Sequence, residues 1–230
     1  MSPGRPRTMV SVSTGSQRSK TAPDGRVEVK RHAERGEYDR EVIYGILDEA
    51  HYCTVAFSDS EGPVAIPTIH VRVDDTLVLH GSPASRMIRA LKGGNPASVV
   101  VTLFDGLVLA RSVFNHSMNY RSVVLFGTAT VIDDPTEKFE AMRRFTENIL
   151  PGRWDDARQP SDKEIRATTM LGIPIRSASA KIRSGPPEDD EGDLGLPVWA
   201  GVIPYRNVAG SPVPAPNLAA AIELPPYLAR

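Results

Sequence analysis

The chain has one cysteine, Cys53, in 230 residues. It can form no internal disulfide, and no metal site built on several cysteines fits within one chain. There are only five histidines, spread from His32 to His116. No GxGxxG occurs, so the glycine fingerprint of a Rossmann nucleotide fold is missing. No apolar run reaches the ~18 residues of a membrane-crossing helix. The N-terminal basic residues Arg5, Arg7, Arg18 and Lys20 are not followed by an apolar stretch, so no secretory signal is expected. A formal net charge of -1 gives no pull toward nucleic acid or an anionic membrane. These absences fit a cytoplasmic protein.

What is present is strand-rich. Residues 1–28 hold Ser, Gly, Pro and basic residues and read as a disordered leader. A folded domain is expected over 29–206, and a Pro/Ala-rich tail over 207–230. Residues 38–50 read as an amphipathic helix, with Val42, Ile43, Ile46 and Leu47 at helical spacing and Asp39 near its positive end. Strands are expected at 51–57, 63–73, 76–81, 97–105, 107–114, 119–133 and 170–184, with a further extended segment at 196–204. The run at 97–105 is apolar almost throughout and reads as buried on both faces. Gly106 reads as a turn, and Gly127 as a bulge or barrel corner. Helices are expected at 84–92, 135–150 and 161–168, the last with Ser161 and Glu164 in capping-box spacing. Six to seven strands without regular β-α alternation indicate a mainly antiparallel split or closed barrel with peripheral helices. So small a barrel cannot enclose a large cofactor, which would sit outside it, in a cleft such as a subunit interface.

The segment from Thr76 to Leu91, TLVLHGSPASRMIRAL, carries the most chemistry. A strand runs into Gly81-Ser82-Pro83, and a helix follows with Met87, Ile88 and Leu91 on one face. Its start offers the hydroxyls of Ser82 and Ser85 and the guanidinium of Arg86, a donor set for a phosphate. The same residues equally suit a plain strand-to-helix junction with a serine cap and a surface arginine.

Other polar residues invite local readings. His70 alternates with Thr68 and Arg72 and reads as part of a solvated strand face. His116 and Asn119 lie in a polar loop segment where either turn formation or function fits. Arg121, beside Tyr120, suits a cofactor phosphate or a carboxylate partner. Arg111 and Lys181, flanked by apolar residues, need partners, and Lys181 and Arg183 read as salt-bridged. The acidic run Glu188–Asp193 lacks the ligand spacing of a calcium loop and reads as solvated. Cys53 reads as a small buried residue, and Trp154 as a packing residue.

Several segments in order, EYDREVIYGILDEAHYCTVAF, VAIPTIHVRVDDTLVLHGSPASRMIRAL, DGLVLARSVFNHSMNYRSVVLFGTA, LPGRWDDARQPSDKEIRATTMLGIPI and SASAKIRSGPPEDD with LPVWAGVIP, cover about residues 31–204. Together they resemble the pyridoxamine-phosphate-oxidase-like FMN-binding split barrels, in the branch of flavin-nucleotide-binding and nitroimidazole-resistance proteins. The resemblance implies a homodimer with FMN at the subunit interface. It implies that Ile66, Pro67 and Thr68 line the flavin ring, that His80, Gly81 and Ser82 pass the ribityl chain, and that Ser85 and Arg86 hold the phosphate. Asn119, Tyr120, Arg121 and Ser122 would close over the cofactor from the other subunit, with Trp199 nearby. His80 would be the active-site histidine. Where pyridoxamine-phosphate oxidases carry a lysine after the arginine, this chain has Met87, so the resemblance points to the branch and not to pyridoxamine phosphate as substrate. The implied activity is flavin-dependent oxidation or reduction of a small molecule, nitroaromatics among the candidates. The rival readings are a deazaflavin-dependent reductase and a non-catalytic protein that stores flavin or binds heme through His80 or His116.

Overall fold

The computed structural model describes residues 21–228. The expected leader lies outside the described residues up to residue 20. Residues 21–206 fall in one compact unit, and residues 207–228 fall in another that carries only turns and a 3-10 turn at Pro226–Leu228.

Eleven strands and five α-helices occur among the described residues. β1 (Gly36–Glu37) precedes α1 (Arg40–Glu49). The Asp39 carboxylate caps α1 by accepting from the backbone N–H groups of Glu41 and Val42, and Ile43, Ile46 and Leu47 turn inward. Then come β2 (Cys53–Asp59), β3 (Gly62–Thr68), β4 (His70–Val73) and β5 (Thr76–Gly81). α2 (Arg86–Lys92) begins at Ser85, whose hydroxyl accepts from the Ile88 N–H at 3.2 Å. β6 (Pro96–Leu109), β7 (Ser117–Thr128) and β8 (Thr130–Ile132) follow. α3 (Pro135–Ile149) has Pro135 in its first turn and an Asp134 cap. α4 (Arg153–Asp156) and α5 (Asp162–Ala167) come next, and the Ser161–Glu164 capping box forms as the spacing predicts. β9 (Thr169–Pro174), β10 (Ser177–Arg183) and β11 (Gly201–Pro204) complete the unit.

All pairings are antiparallel. One sheet runs β1-β10-β7-β6-β2-β3, with β11 also paired to β6, and the other runs β4-β5-β9-β8. This is a mainly antiparallel split barrel with peripheral helices. Three runs that read as single strands divide between the sheets: β3 passes to β4 at Ile69, β7 to β8 at Ala129, and β9 to β10 at Ile175-Arg176. Gly106 does not end a strand. It sits at a bulge inside the continuous β6, where the register with β7 shifts between Phe104 and Gly106. Gly127 lets the sheets approach closely, since a Cβ there would lie 2.7 Å from Ile173 Cγ2.

The main core joins α1, α2 and the inward faces of both sheets through Leu47, Val55, Leu77, Leu79, Leu91, Leu125 and Leu171. A smaller core under α3 holds Val71, Val78, Phe145 and Met170. β6 is buried on one face only. Ala97, Val99 and Val101 point into the core, but Phe104 and Leu107 are exposed. Its apolar continuity therefore reflects a second apolar face whose Phe104 and Leu107 the described residues leave exposed. No helix among the described residues is long and apolar enough to cross a membrane.

Candidate functional site

The stretch from Gly62 to Val73 forms the outer edge of both sheets, because β3 ends the first and β4 ends the second. Half of the backbone N–H and C=O groups of β3 therefore pair with no strand among the described residues. At ~3.3 Å per residue, this free β3 edge runs roughly 20 Å. Ile66, Pro67 and Thr68 lie at its far end, where the chain turns into β4. β4 pairs with β5 from His70 opposite Leu79 onward, so His80 and Gly81 lie beside the same corner.

Gly81 leads into the junction with α2. A Cβ on Gly81 would lie 3.0 Å from Ile88 Cγ1 and 3.7 Å from Ser85 Oγ, so the strand end and the helix start are in close contact. The Ser82 hydroxyl accepts from the Ala84 N–H at 3.3 Å, and that of Ser85 from Ile88 N–H. Each hydroxyl proton can thus be donated to an anionic ligand. Arg86 donates from Nε to Asp59 at 2.6 Å and from Nη2 to Asp59 at 3.0 Å and Glu61 at 3.1 Å. These ion pairs tie the start of α2 to the β2–β3 hairpin. The Arg86 hydrogen bonds hold the Asp59 carboxyl down at about 2. Met87, at the position that distinguishes the branch, is buried in the core.

His80 is half-buried and lies edge-on to Phe145 of α3, with ring centroids 4.5 Å apart. Its Nδ1 is buried and has no hydrogen-bond partner within the described residues. Burial pushes its pKa below the usual histidine value, which favours the neutral ring.

Asn119, Tyr120, Arg121 and Ser122 lie on β7, three strand positions from β3 in the sheet order. The structure does not bring them to the β3 edge within one chain. Asn119 is buried; it donates to the Gly185 carbonyl at 3.1 Å and accepts from Arg183. Arg121 forks onto Asp105 at 2.8 and 3.0 Å and also pairs with Glu49. These two carboxylates push its already high pKa further up. Ser122 donates to the Lys181 carbonyl at 3.2 Å.

Several polar residues differ from their sequence readings. His70 is 0% exposed and not solvated, because α1 covers that face of β4. Its Nε2 lies 3.0 Å from the Leu47 carbonyl, which fixes Nε2–H as the donor and leaves Nδ1 buried without a partner among the described residues. Lys181 and Arg183 form no salt bridge among the described residues. Lys181 donates to the Arg31 carbonyl at 2.8 Å, and Arg183 to Asn119 and the carbonyls of Gly185 and Pro186. In the acidic run, the Asp189 side chain is 3% exposed and grips the Arg111 backbone N–H and guanidinium at 2.6 and 2.7 Å. Cys53 is buried, and desolvation pushes its thiol up to about 12. Trp154 packs edge-on to Phe139 with centroids 5.2 Å apart, whereas Trp199 is largely exposed. Asp59, Glu61, Glu49 and Asp105 escaped the sequence reading, because each meets its arginine only through the fold.

The family model described as pyridoxamine 5'-phosphate oxidase matches residues 39–182. No curated protein matches the sequence detectably. Among solved structures, the flavocytochrome Anf3 from Azotobacter vinelandii is 39% identical with a TM-score of 0.85, over 90% of this chain and 97% of that one. The FAD and heme binding protein from Mycobacterium smegmatis is 40% identical with a TM-score of 0.81, over 85% of this chain and 96% of that one. A candidate 5-nitroimidazole antibiotic resistance protein from Bacteroides thetaiotaomicron is 26% identical with a TM-score of 0.54, over 63% of this chain and 84% of that one. With its barrel topology and the family match spanning α1 to β10, the chain belongs to the pyridoxamine 5'-phosphate oxidase family.

Proposed function

We propose that this chain is a redox flavoprotein whose flavin lies along the free β3 edge and the β5–α2 junction. The observation that carries the reading is the placement of three phosphate donors, Ser82, Ser85 and Arg86, beside an open backbone edge that ends in Ile66, Pro67 and Thr68. The peptide groups of that edge suit the polar rim of a flavin, and the hydroxyls and guanidinium suit its phosphate. The similarity to proteins named for flavin binding supports the same reading. FMN is the flavin that the sequence resemblance implies, and FAD is the one named in the Mycobacterium smegmatis protein.

A bound flavin supplies hydride or electron transfer to an unidentified small molecule, and nitroaromatics fit that chemistry. The chain's part is to hold the phosphate at Ser82, Ser85 and Arg86 and to orient the ring at the β3 corner. His80, held neutral by burial, can donate a hydrogen bond to the flavin or its substrate.

The proposed site is completed by a second copy. Met118 stands opposite Leu107, which stands opposite Ile203, so three strands present one apolar row. Phe104 and Tyr205 extend it, edge-on with centroids 4.9 Å apart, and all five side chains are exposed. Val113 and Phe114, at the end of this face, are 87% and 90% exposed. An apolar surface of this kind marks an interface. In the homodimer, the β7 segment Asn119–Ser122 comes to the partner's flavin.

One observation favours a second group beside the flavin. His80 would be the residue to hold heme: burial favours its neutral ring, and its Nδ1 has no hydrogen-bond partner among the described residues. His116 suits this less well, since its Nδ1 is engaged by the Ser112 carbonyl at 2.9 Å. Two similar proteins are named for flavin or FAD together with heme or cytochrome character.

The test is titration of the purified protein with FMN and with FAD, followed by flavin fluorescence. Saturation at one flavin per chain supports the proposal, and failure of both flavins to bind refutes it. Parallel titration with hemin tests the second reading: a Soret band that His80→Ala abolishes supports it, and one that persists unchanged removes His80 as ligand.

A further inference from the structure

We infer that Pro67 biases the bound flavin toward its reduced state, because it withholds a backbone N–H from the ring-facing end of the β3 edge. This rests on the flavin reading above and adds to it the redox preference of the site.

The β2–β3 hairpin turns through Ser60 and Glu61, with Asp59 opposite Gly62. The pair that flanks a two-residue hairpin loop exchanges both backbone hydrogen bonds, and such pairs alternate along an antiparallel ladder. Gly62, Val64, Ile66 and Thr68 therefore turn their peptide groups toward Asp59, Phe57, Val55 and Cys53 of β2. Pro63, Ala65 and Pro67 turn theirs to the free edge, where β3 ends its sheet. The prolines fit this register, since neither has an N–H to give β2. The free edge thus presents the carbonyls of Pro63, Ala65 and Pro67, but the N–H of Ala65 alone. Pro67 is exposed and stands one residue from the end of β3, at the corner proposed to hold the ring. Pro63 lies at the hairpin end of the strand, ~13 Å from Pro67 at ~3.3 Å per residue.

An oxidised flavin ring offers hydrogen-bond acceptors at N1, N5 and its two carbonyls, and one donor at N3. Reduction adds two electrons from a reductant and two protons from solvent, which places N–H groups on N1 and N5. An edge with three acceptors and one donor matches the reduced rim better than the oxidised one. At Pro67 an acceptor of the oxidised ring meets no backbone N–H, whereas an N–H of the reduced ring meets a carbonyl. Hydrogen bonds to the ring nitrogens tune a flavin's electronics, and the state that is bound more tightly gains population by the difference in affinity. Pro67 therefore raises the reduction potential of the bound flavin above the value it would have with an N–H at this position.

The experiment measures the midpoint potential of bound FMN or FAD, whichever binds, by absorption against reference dyes. It uses the full chain as wild type, Pro67→Ala, Pro67→Val and Pro63→Ala. Both Pro67 variants restore an outward N–H without changing charge, and Pro67→Val keeps strand propensity should the alanine variant fold poorly. The wild-type midpoint should lie above that of the free flavin. Each Pro67 variant should gain about tenfold in affinity for oxidised over reduced flavin, which lowers the two-electron midpoint by about 30 mV. Pro63→Ala, away from the ring, should change that ratio by less than about twofold. A wild-type midpoint below that of the free flavin overturns the inference. So does a midpoint that the Pro67 variants leave unchanged or raise, or an equal drop in Pro63→Ala. A wild type that binds neither FMN nor FAD overturns the flavin reading with it.

Discussion

Replacing Arg86 with alanine separates the phosphate site from the ion pair that the fold already shows. In the wild type the guanidinium holds Asp59 through two contacts and Glu61 through one, and Nη1 remains to meet a phosphate oxygen. Arg86→Ala removes that charge-assisted donor and leaves two carboxylates facing the bound phosphate. Both effects weaken binding, by roughly ten- to a hundredfold in dissociation constant. Arg86→Lys keeps the charge but loses the planar fork, so it should fall between the wild type and the alanine variant. The effect on folding should be small, because the guanidinium and Glu61 are well exposed and exposed ion pairs contribute little. Thermal unfolding and flavin titration on the same preparations separate the two effects. A stably folded Arg86→Ala variant that binds flavin as tightly as the wild type would refute the phosphate assignment.

Other consequences are equally direct. If the exposed apolar row seals the proposed homodimer, the wild type should sediment as a dimer in analytical ultracentrifugation, and Leu107→Asp with Met118→Asp, which places charges in that row, should sediment as a folded monomer. Leu79→Ala empties a fully buried site in the main core and should cost about 2–5 kcal/mol in denaturant unfolding. His70 and His80 both have pKa values lowered by burial, so the unfolded chain takes up their protons first. The stability they carry is complete above about pH 6.5 and is lost as pH falls below that value. Melting temperature should therefore drop from about pH 7.5 to 5, and His70→Gln should flatten that slope. Cys53, pushed up to about 12 by burial, should resist thiol reagents at neutral pH until the protein is denatured.

The parts of the fold that depend on neighbours in sequence were legible. Asp39, Ser85 and the Ser161–Glu164 box cap their helices as their spacing predicts, and Met87, Ile88 and Leu91 share the buried face. The corners were not. A strand that crosses from one sheet to the other keeps its alternating pattern, so nothing local marks Ile69, Ala129 or Ile175 as breaks. His70 shows the cost of that. Continued alternation from Thr68 placed it on a solvated face, but the corner hands β4 to a second sheet whose face is roofed by α1. The donors at the β5–α2 junction were visible as residue types in one short segment. Their carboxylate neighbours were not, because Asp59 lies 27 residues before Arg86 and meets it only through the β2–β3 hairpin. The apolar second face of β6 was read as a buried one, since apolar composition does not say whether its cover lies in the same chain.

Flavin binding is tested most directly by the absorption spectrum of the protein as purified, before and after added flavin. Flavin bands are expected in the blue at about one flavin per chain, displaced from free flavin by the protein environment, with a Soret band beside them if His80 holds heme. A protein without flavin absorption that also leaves added FMN and FAD unchanged would contradict the flavin reading.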